Sequence, residues 1–248
     1  MTRLNKGFTL LEMVTVIVLL GVVSVGIGAI INLGSRTYVD VTTRDELIGG
    51  ARFAVERMNR EIRSALPNSL KDTSIGNSKC IEFRPIVTSF VYTDAPIDPE
   101  VGDSITVVNF DERTIANAAS LVAVIYPLDW EQLADRQANI EGFSRVAGFE
   151  YVLDLPTGSQ FAEGSPTDRV FIVEPNDISY CIVGEQLTRS VGGGSAVLMA
   201  EYIDSNNSSF EVIKPTLQRN GAVLVKLAFK QNFEEVRFSN EVQVINVP

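Results

Sequence analysis

The 248-residue chain has no histidine, two cysteines and one tryptophan. Histidine is the commonest general base and the commonest metal ligand, so serine-type triads and zinc hydrolysis lose most of their parts. Positive charge is also scarce: 21 Lys and Arg against 31 Asp and Glu leave a net charge of -10. The first 66 residues hold eight basic and six acidic side chains, so the part from Pro67 onward stands near -12 by difference. Such a surface repels nucleic-acid backbones, which argues against nucleic acid as a partner. The chain also lacks internal repeats and low-complexity linkers.

Three short motifs fall short of the chemistry they suggest. "VGGGS" at 191–195 lacks the Gly-Lys-Ser/Thr ending of a phosphate loop and the spacing of a dinucleotide fingerprint, so it reads as a flexible turn. "TDAPIDPEVGD" at 93–103 offers Asp94, Asp98, Glu100 and Asp103 as weak calcium candidates without EF-hand spacing, and the default reading is a solvated acidic loop. "NSS" at 207–209 fits a glycosylation sequon, meaningful only where the export route glycosylates. No catalytic residue, metal or cofactor is expected, and the chain is not read as an enzyme.

What the sequence does contain is one long apolar run. Residues 3–33 read "RLNKGFTLLEMVTVIVLLGVVSVGIGAIINL", and between Phe8 and Leu33 Glu12 alone is charged. About 20 apolar residues cross a bilayer as a helix, so residues 8–33 read as a single membrane span. An acid inside such a span costs up to roughly 2.5 to 3.5 kcal/mol, and Glu12 therefore calls for a cation; the alternative is a carboxylate snorkelling to the headgroups. Arg3 and Lys6 precede the run and place the N-terminus in the cytoplasm, so the rest of the chain is exported. The run is too long for a signal peptide and offers no convincing small-residue cleavage site.

Beyond the membrane run, Leu47, Ala51, Ala54, Val55, Met58, Ile62 and Leu66 continue at helical spacing, with an i,i+4 pair expected between Glu56 and Arg60. A helix from Phe8 to Leu66 is expected, ended by Pro67. From Asn68 the pattern changes to short β-prone runs at 80–87, 89–93, 104–110, 169–174, 178–183, 222–229 and 242–247, with short helices expected around 130–137 and 194–203. Cys80 and Cys181 fall in two of those runs. In an exported, oxidising compartment they read as a disulfide closing a 101-residue separation, with a pair of buried free thiols as the alternative.

The stretch "KGFTLLE" at 6–12 resembles the processing site of the type IV pilin superfamily: a short basic leader ending in Gly, then Phe, with Glu fifth in the mature chain. The resemblance implies cleavage between Gly7 and Phe8 by prepilin peptidase, methylation of the new Phe8 amine, and a filament role for Glu12 opposite a neighbour's amine. "ARFAVERMNREIRSA" at 51–65, "ISYCIVGEQLTR" at 178–189 and "VQVINVP" at 242–248 resemble the larger minor pilins, most of all the MshO-type biogenesis proteins of the mannose-sensitive haemagglutinin (MSHA) pilus. Where many major pilins carry a mid-helix proline, Val23, Ser24 and Val25 stand here, which argues against a major subunit.

This resemblance implies an α+β type IV pilin fold, a long N-terminal helix packed on an antiparallel β-sheet head. The expected divisions are a leader at 1–7, a membrane and filament-core helix at 8–33, its amphipathic continuation at 34–66, and a periplasmic head at 67–248. The expected function is a minor pilin that initiates or caps an MSHA-type adhesive pilus. The alternatives are a J-type pseudopilin of a type II secretion pseudopilus and, in another class, a bitopic periplasmic enzyme or sensor. Expected partners are other pilins, prepilin peptidase, the inner-membrane assembly platform and, before assembly, membrane lipid.

Overall fold

The computed structural model describes residue 7 and residues 9–75, 78–112, 114–215, 219–231 and 234–244. The chain divides into two compact units, Met1–Glu46 and Leu47–Pro248. Helix α1 (Leu10–Arg63, 54 residues) forms the body of the first unit and supplies the first element of the second.

In the first unit α1 starts on a local signal. Thr9 precedes it, and Thr9 Oγ1 accepts the Glu12 backbone N–H at 3.3 Å. Thr9 and Glu12 thus stand three apart as N-cap and N3, the spacing of a capping box, and the carboxylate sits in the positively polarised first turn. Polar side chains further along bond back into the helix. Thr15 Oγ1 donates to the Leu11 carbonyl at 3.1 Å, Ser24 Oγ to that of Leu20 at 2.7 Å and Asn32 Nδ2 to that of Gly28 at 2.9 Å. This internal bonding suits an apolar surrounding, where an unsatisfied polar group costs several kcal/mol.

In the second unit Leu47, Ala51, Ala54, Met58 and Ile62 form the buried stripe of α1. The helix ends at Arg63, one turn before the expected Leu66. The Leu66 N–H donates to the Arg84 carbonyl at 2.7 Å and the Ile86 N–H to that of Ser64 at 2.9 Å, so residues 64–66 bond to a strand junction instead. The expected Glu56–Arg60 pair is absent; the i,i+4 pair that forms is Arg57–Glu61, at 3.0 Å.

Fifteen antiparallel strands follow among the described residues, in three sheets where one was expected. The first has the order β1 (Lys71–Ile75), β2 (Ser78–Phe83), β10 (Ile178–Val183), β11 (Gln186–Val191), β12 (Val197–Glu201). The second has the order β13 (Ser209–Ile213), β14 (Ala222–Gln231), β15 (Glu234–Gln243). The third has seven strands: β6 (Gln137–Asn139), β5 (Val122–Ile125), β9 (Arg169–Val173), β3 (Ile86–Asp94), β4 (Gly102–Val108), β8 (Glu150–Ser159), β7 (Gly142–Ala147).

The α1 stripe packs into one core with Ile81, Phe83, Tyr180 and Leu187 of the first sheet and Val223, Val225, Leu227 and Phe229 of the second. A separate core, with Phe90, Ile105, Leu153, Phe161 and Ile172, belongs to the seven-stranded sheet.

Several expected elements change. The run at 80–87 splits at Arg84 and Pro85 into β2 and β3, because proline carries no N–H for a ladder. The region around 194–203, expected as a helix, is the edge strand β12. The run at 242–247 contributes only Val242 and Gln243 to β15, and residues 245–247 lie outside the described set. Around 130–137 a short 3-10 helix forms at Leu133–Arg136.

Candidate functional site

The N-terminal segment presents side chains that have no use for the chain's own packing. Gly7 is exposed, and a Cβ built on it meets no atom within 4 Å, so nothing among the described residues requires glycine at this position. Phe8, the expected cleavage and methylation residue, lies outside the described residues, as do Arg3 and Lys6. Glu12 is exposed, and its backbone is the one that Thr9 caps.

From Leu10, α1 is long and apolar enough to cross a membrane, and none of its most apolar window is buried. Leu10 is 83 % exposed and Val25 76 %. A row of large apolar side chains at such exposure needs lipid or another apolar helix around it.

In the second unit the residue holding α1 to the first sheet is Glu61, which sequence reasoning passed over. Its Oε2 accepts hydrogen bonds from Tyr180 Oη at 2.8 Å and Arg189 Nε at 2.9 Å, while Oε1 accepts from Arg57 Nε at 3.0 Å. Burial pushes the Glu61 carboxyl up, but the bonds from Arg189, Arg57 and Tyr180 outweigh it and leave it below the usual carboxylate range. Tyr180 moves the other way, since burial and the Glu61 charge both hold its phenol well above its ordinary value. Three donors converge on one carboxylate, an arrangement that fixes geometry but leaves no free base. The signal that could have found it is the Arg57–Glu61 spacing at the border of the apolar stripe.

Cys80 and Cys181 are joined as a disulfide, and no other cysteine exists in the chain. They face each other directly in the β2–β10 ladder, so the bond ties the first hairpin after the helix to a strand 101 residues later.

The remaining sequence candidates are not gathered into sites. Among the described residues no three acidic, His or Cys side chains form a metal-holding group, and this covers Asp94, Asp98, Glu100 and Asp103. Asp98 instead accepts from Gln160 Nε2 at 3.0 Å. "VGGGS" is the β11–β12 connection: Gly192 has φ 57°, and a Cβ there would lie 2.7 Å from Asn176 Oδ1, so glycine serves the turn. Asn207 donates its side-chain amide to Asp204 Oδ2 at 2.8 Å within a local turn. A cavity of about 370 Å³ beside Trp130 is lined by Asn68, Lys71, Asp72, Asp129 and Glu131, with no Ser, Thr, Cys or His among its described lining residues. Lys71 Nζ lies 3.8 Å from the centre of the Trp130 ring.

Comparison with known proteins adds one finding. Residues 2–28 match the prokaryotic N-terminal methylation motif. No curated protein and no solved structure matches the chain. The motif is the type IV prepilin-like one, and it supports the pilin or pseudopilin class, with the processing by prepilin peptidase and the assembly with other pilins that the class implies. One long N-terminal apolar helix followed by antiparallel sheets is an α+β, type IV pilin-like architecture.

Proposed function

We propose that the chain is a minor type IV pilin that helps initiate or cap a filament of the MSHA type. The observation that carries the reading is the N-terminal motif: Lys6, Gly7, Phe8 and Glu12 at prepilin spacing, at the head of an exposed apolar helix. Among the described residues nothing requires glycine at 7, and a residue without a Cβ lets a peptidase approach the scissile peptide closely. In this reading residues 1–7 are a leader removed on the cytoplasmic side, and Phe8 becomes a methylated N-terminus. The helix at 8–33 rests in the inner membrane before joining a filament core, and residues 67–248 form a periplasmic head.

Two further observations support the minor-subunit reading: the absence of a mid-helix proline and the resemblance of residues 51–65 and 178–189 to larger minor pilins. The proposed role is structural; partners are other pilins and the inner-membrane platform, with no reaction assigned.

The test is substitution at the cut. Gly7→Val should leave the leader attached and hold the chain in the inner membrane. A variant whose N-terminus is still Phe8 by mass spectrometry overturns the peptidase assignment. An uncut chain that nonetheless performs its cellular task from the membrane would favour the bitopic enzyme or sensor.

A further inference from the structure

The cavity of about 370 Å³ beside Trp130 lies where parts of the second unit meet. Lys71 and Asp72 reach it from β1, Val212 and Ile213 from β13, and residues 128–131 from the segment between β5 and β6. Its size is that of a ligand site, and such sites favour junctions between packed units. Strand β1 is outermost in the first sheet and β13 outermost in the second, and no ladder joins them. Two strand edges, each without a ladder partner on one side, therefore border one cavity. Its walls carry Leu70, Val212, Pro215 and Val244.

The polar groups left uncommitted there are mostly acceptors. Lys71 is already engaged: its ammonium pairs at 2.9 Å with Glu82, its partner in the β1–β2 ladder, and lies over the Trp130 ring. Asp72, Asp129 and Glu131 are exposed at the rim, and among the described residues none of them forms an ion pair. Asp129 Oδ1 accepts the Glu131 backbone N–H at 3.5 Å. Asn68 donates its side-chain amide to the Pro127 carbonyl at 2.7 Å, and its Oδ1 is buried without a partner. Of the described lining residues Lys214 is the only other cation, so three carboxylates stand against one uncommitted ammonium.

We infer that this cavity binds an extended peptide of a partner protein, in which a lysine or arginine stands beside an apolar residue. Ammonium and guanidinium groups donate without accepting, which matches a site of carboxylates and an orphaned amide oxygen. The apolar neighbour enters among Leu70, Val212 and Val244, and the peptide backbone pairs with an open strand edge, as in other strand-addition complexes. A free alkylammonium carries the same cation and is the competing source. The inference stands apart from the filament reading, since every residue it uses lies in the second unit and none takes part in processing at Gly7.

Trp130 is the chain's one tryptophan, so its emission reports on this cavity directly. The full chain in neutral detergent micelles is titrated with the capped peptide Val-Lys-Val-Lys-Val, followed by Trp130 emission and by calorimetry. Saturable binding at one site is expected. The variant Asp72→Asn, Asp129→Asn, Glu131→Gln should bind about tenfold more weakly, the combined worth of three exposed charge contacts. The variant Asp94→Asn, Glu100→Gln, Asp103→Asn makes the same change in net charge at exposed positions outside the cavity lining, and should bind as the parent does. Matched melting curves show that both variants have folded. Three probes need no variant: Val-Glu-Val-Glu-Val, the lysine peptide methylated on its backbone nitrogens, and n-butylammonium should each bind at least about tenfold more weakly than the parent peptide. The inference is overturned by the absence of saturable binding, by equal losses in the two variants, or by any of these three probes binding as tightly as the lysine peptide.

Discussion

Glu12 answers to two physical demands at once. As N3 of α1 it lies in the first turn, where a carboxylate is stabilised by about 0.3 to 1 kcal/mol at the positive end of the helix dipole. As a charge at the head of an apolar run it also needs a cation once it is surrounded by lipid or by other helices. The two roles separate by substitution. Glu12→Ala keeps the backbone N–H that Thr9 caps but removes the carboxylate and lowers the cost of insertion, so it should insert and be cleaved at least as well as the parent yet be depleted in sheared filaments. Glu12→Gln keeps a residue type that serves in a capping box but removes the charge. If pairing with a neighbour's amine is the function, immunoblots of sheared filaments will show the glutamine variant as depleted as the alanine one. Parental levels of the glutamine variant would show that assembly does not use the Glu12 charge.

At the scale of elements, the attachment of α1 to the first sheet is concentrated at Glu61. Glu61→Ala leaves Tyr180, Arg189 and Arg57 without their shared acceptor, and the expected loss is about 2 to 3 kcal/mol, read as a lower urea midpoint with unchanged slope. The pH dependence has a definite sign. The folded carboxyl lies below its unfolded value, so its contribution is complete above about pH 5 and declines as pH falls below about 4. Tyr180 is raised in the folded state, so its contribution is present below about pH 10 and is lost at higher pH. Urea titrations should therefore show the parent losing stability at both ends, and Glu61→Gln should flatten the acid limb.

How legible these elements were depends on what each strand pairs with. Strand β10 stood out because Ile178, Tyr180 and Ile182 alternate toward the core in β-prone company. Strand β12 did not, because Val197–Glu201 is rich in good helix formers and is a strand only through its ladder with β11, which a local reading does not contain. Strand β15 hides its period of two, with Val236, Phe238 and Val242 spaced among charged and amide side chains. Glu61 was missed for a related reason: two of its three donors, Tyr180 and Arg189, lie more than 100 residues away.

For the whole molecule, two features carry across long sequence distances. The Cys80–Cys181 bond closes a separation of 101 residues, and in the chain-entropy model such a loop is worth roughly 4 to 5 kcal/mol. Replacing both cysteines by alanine should lower the urea midpoint of the head by a corresponding amount, and denaturation without reductant should release no reactive thiol from the parent. Two thiols per parent chain would contradict the bond. The other feature is the division of labour between an exposed apolar helix and an acidic head. The apolar helix was legible from composition and the acidic balance from charge, while the three-sheet arrangement required pairings that no local pattern encodes. The central claim is that the helix is a processed filament stem rather than a plain anchor, and it turns on one measurement: the N-terminus of the chain recovered from membranes and from sheared filaments, by intact-protein and peptide mass spectrometry. The account predicts a chain that begins at Phe8 with a methylated amine, in both fractions. A chain that keeps residues 1–7, or one cut elsewhere in the apolar run, would contradict it.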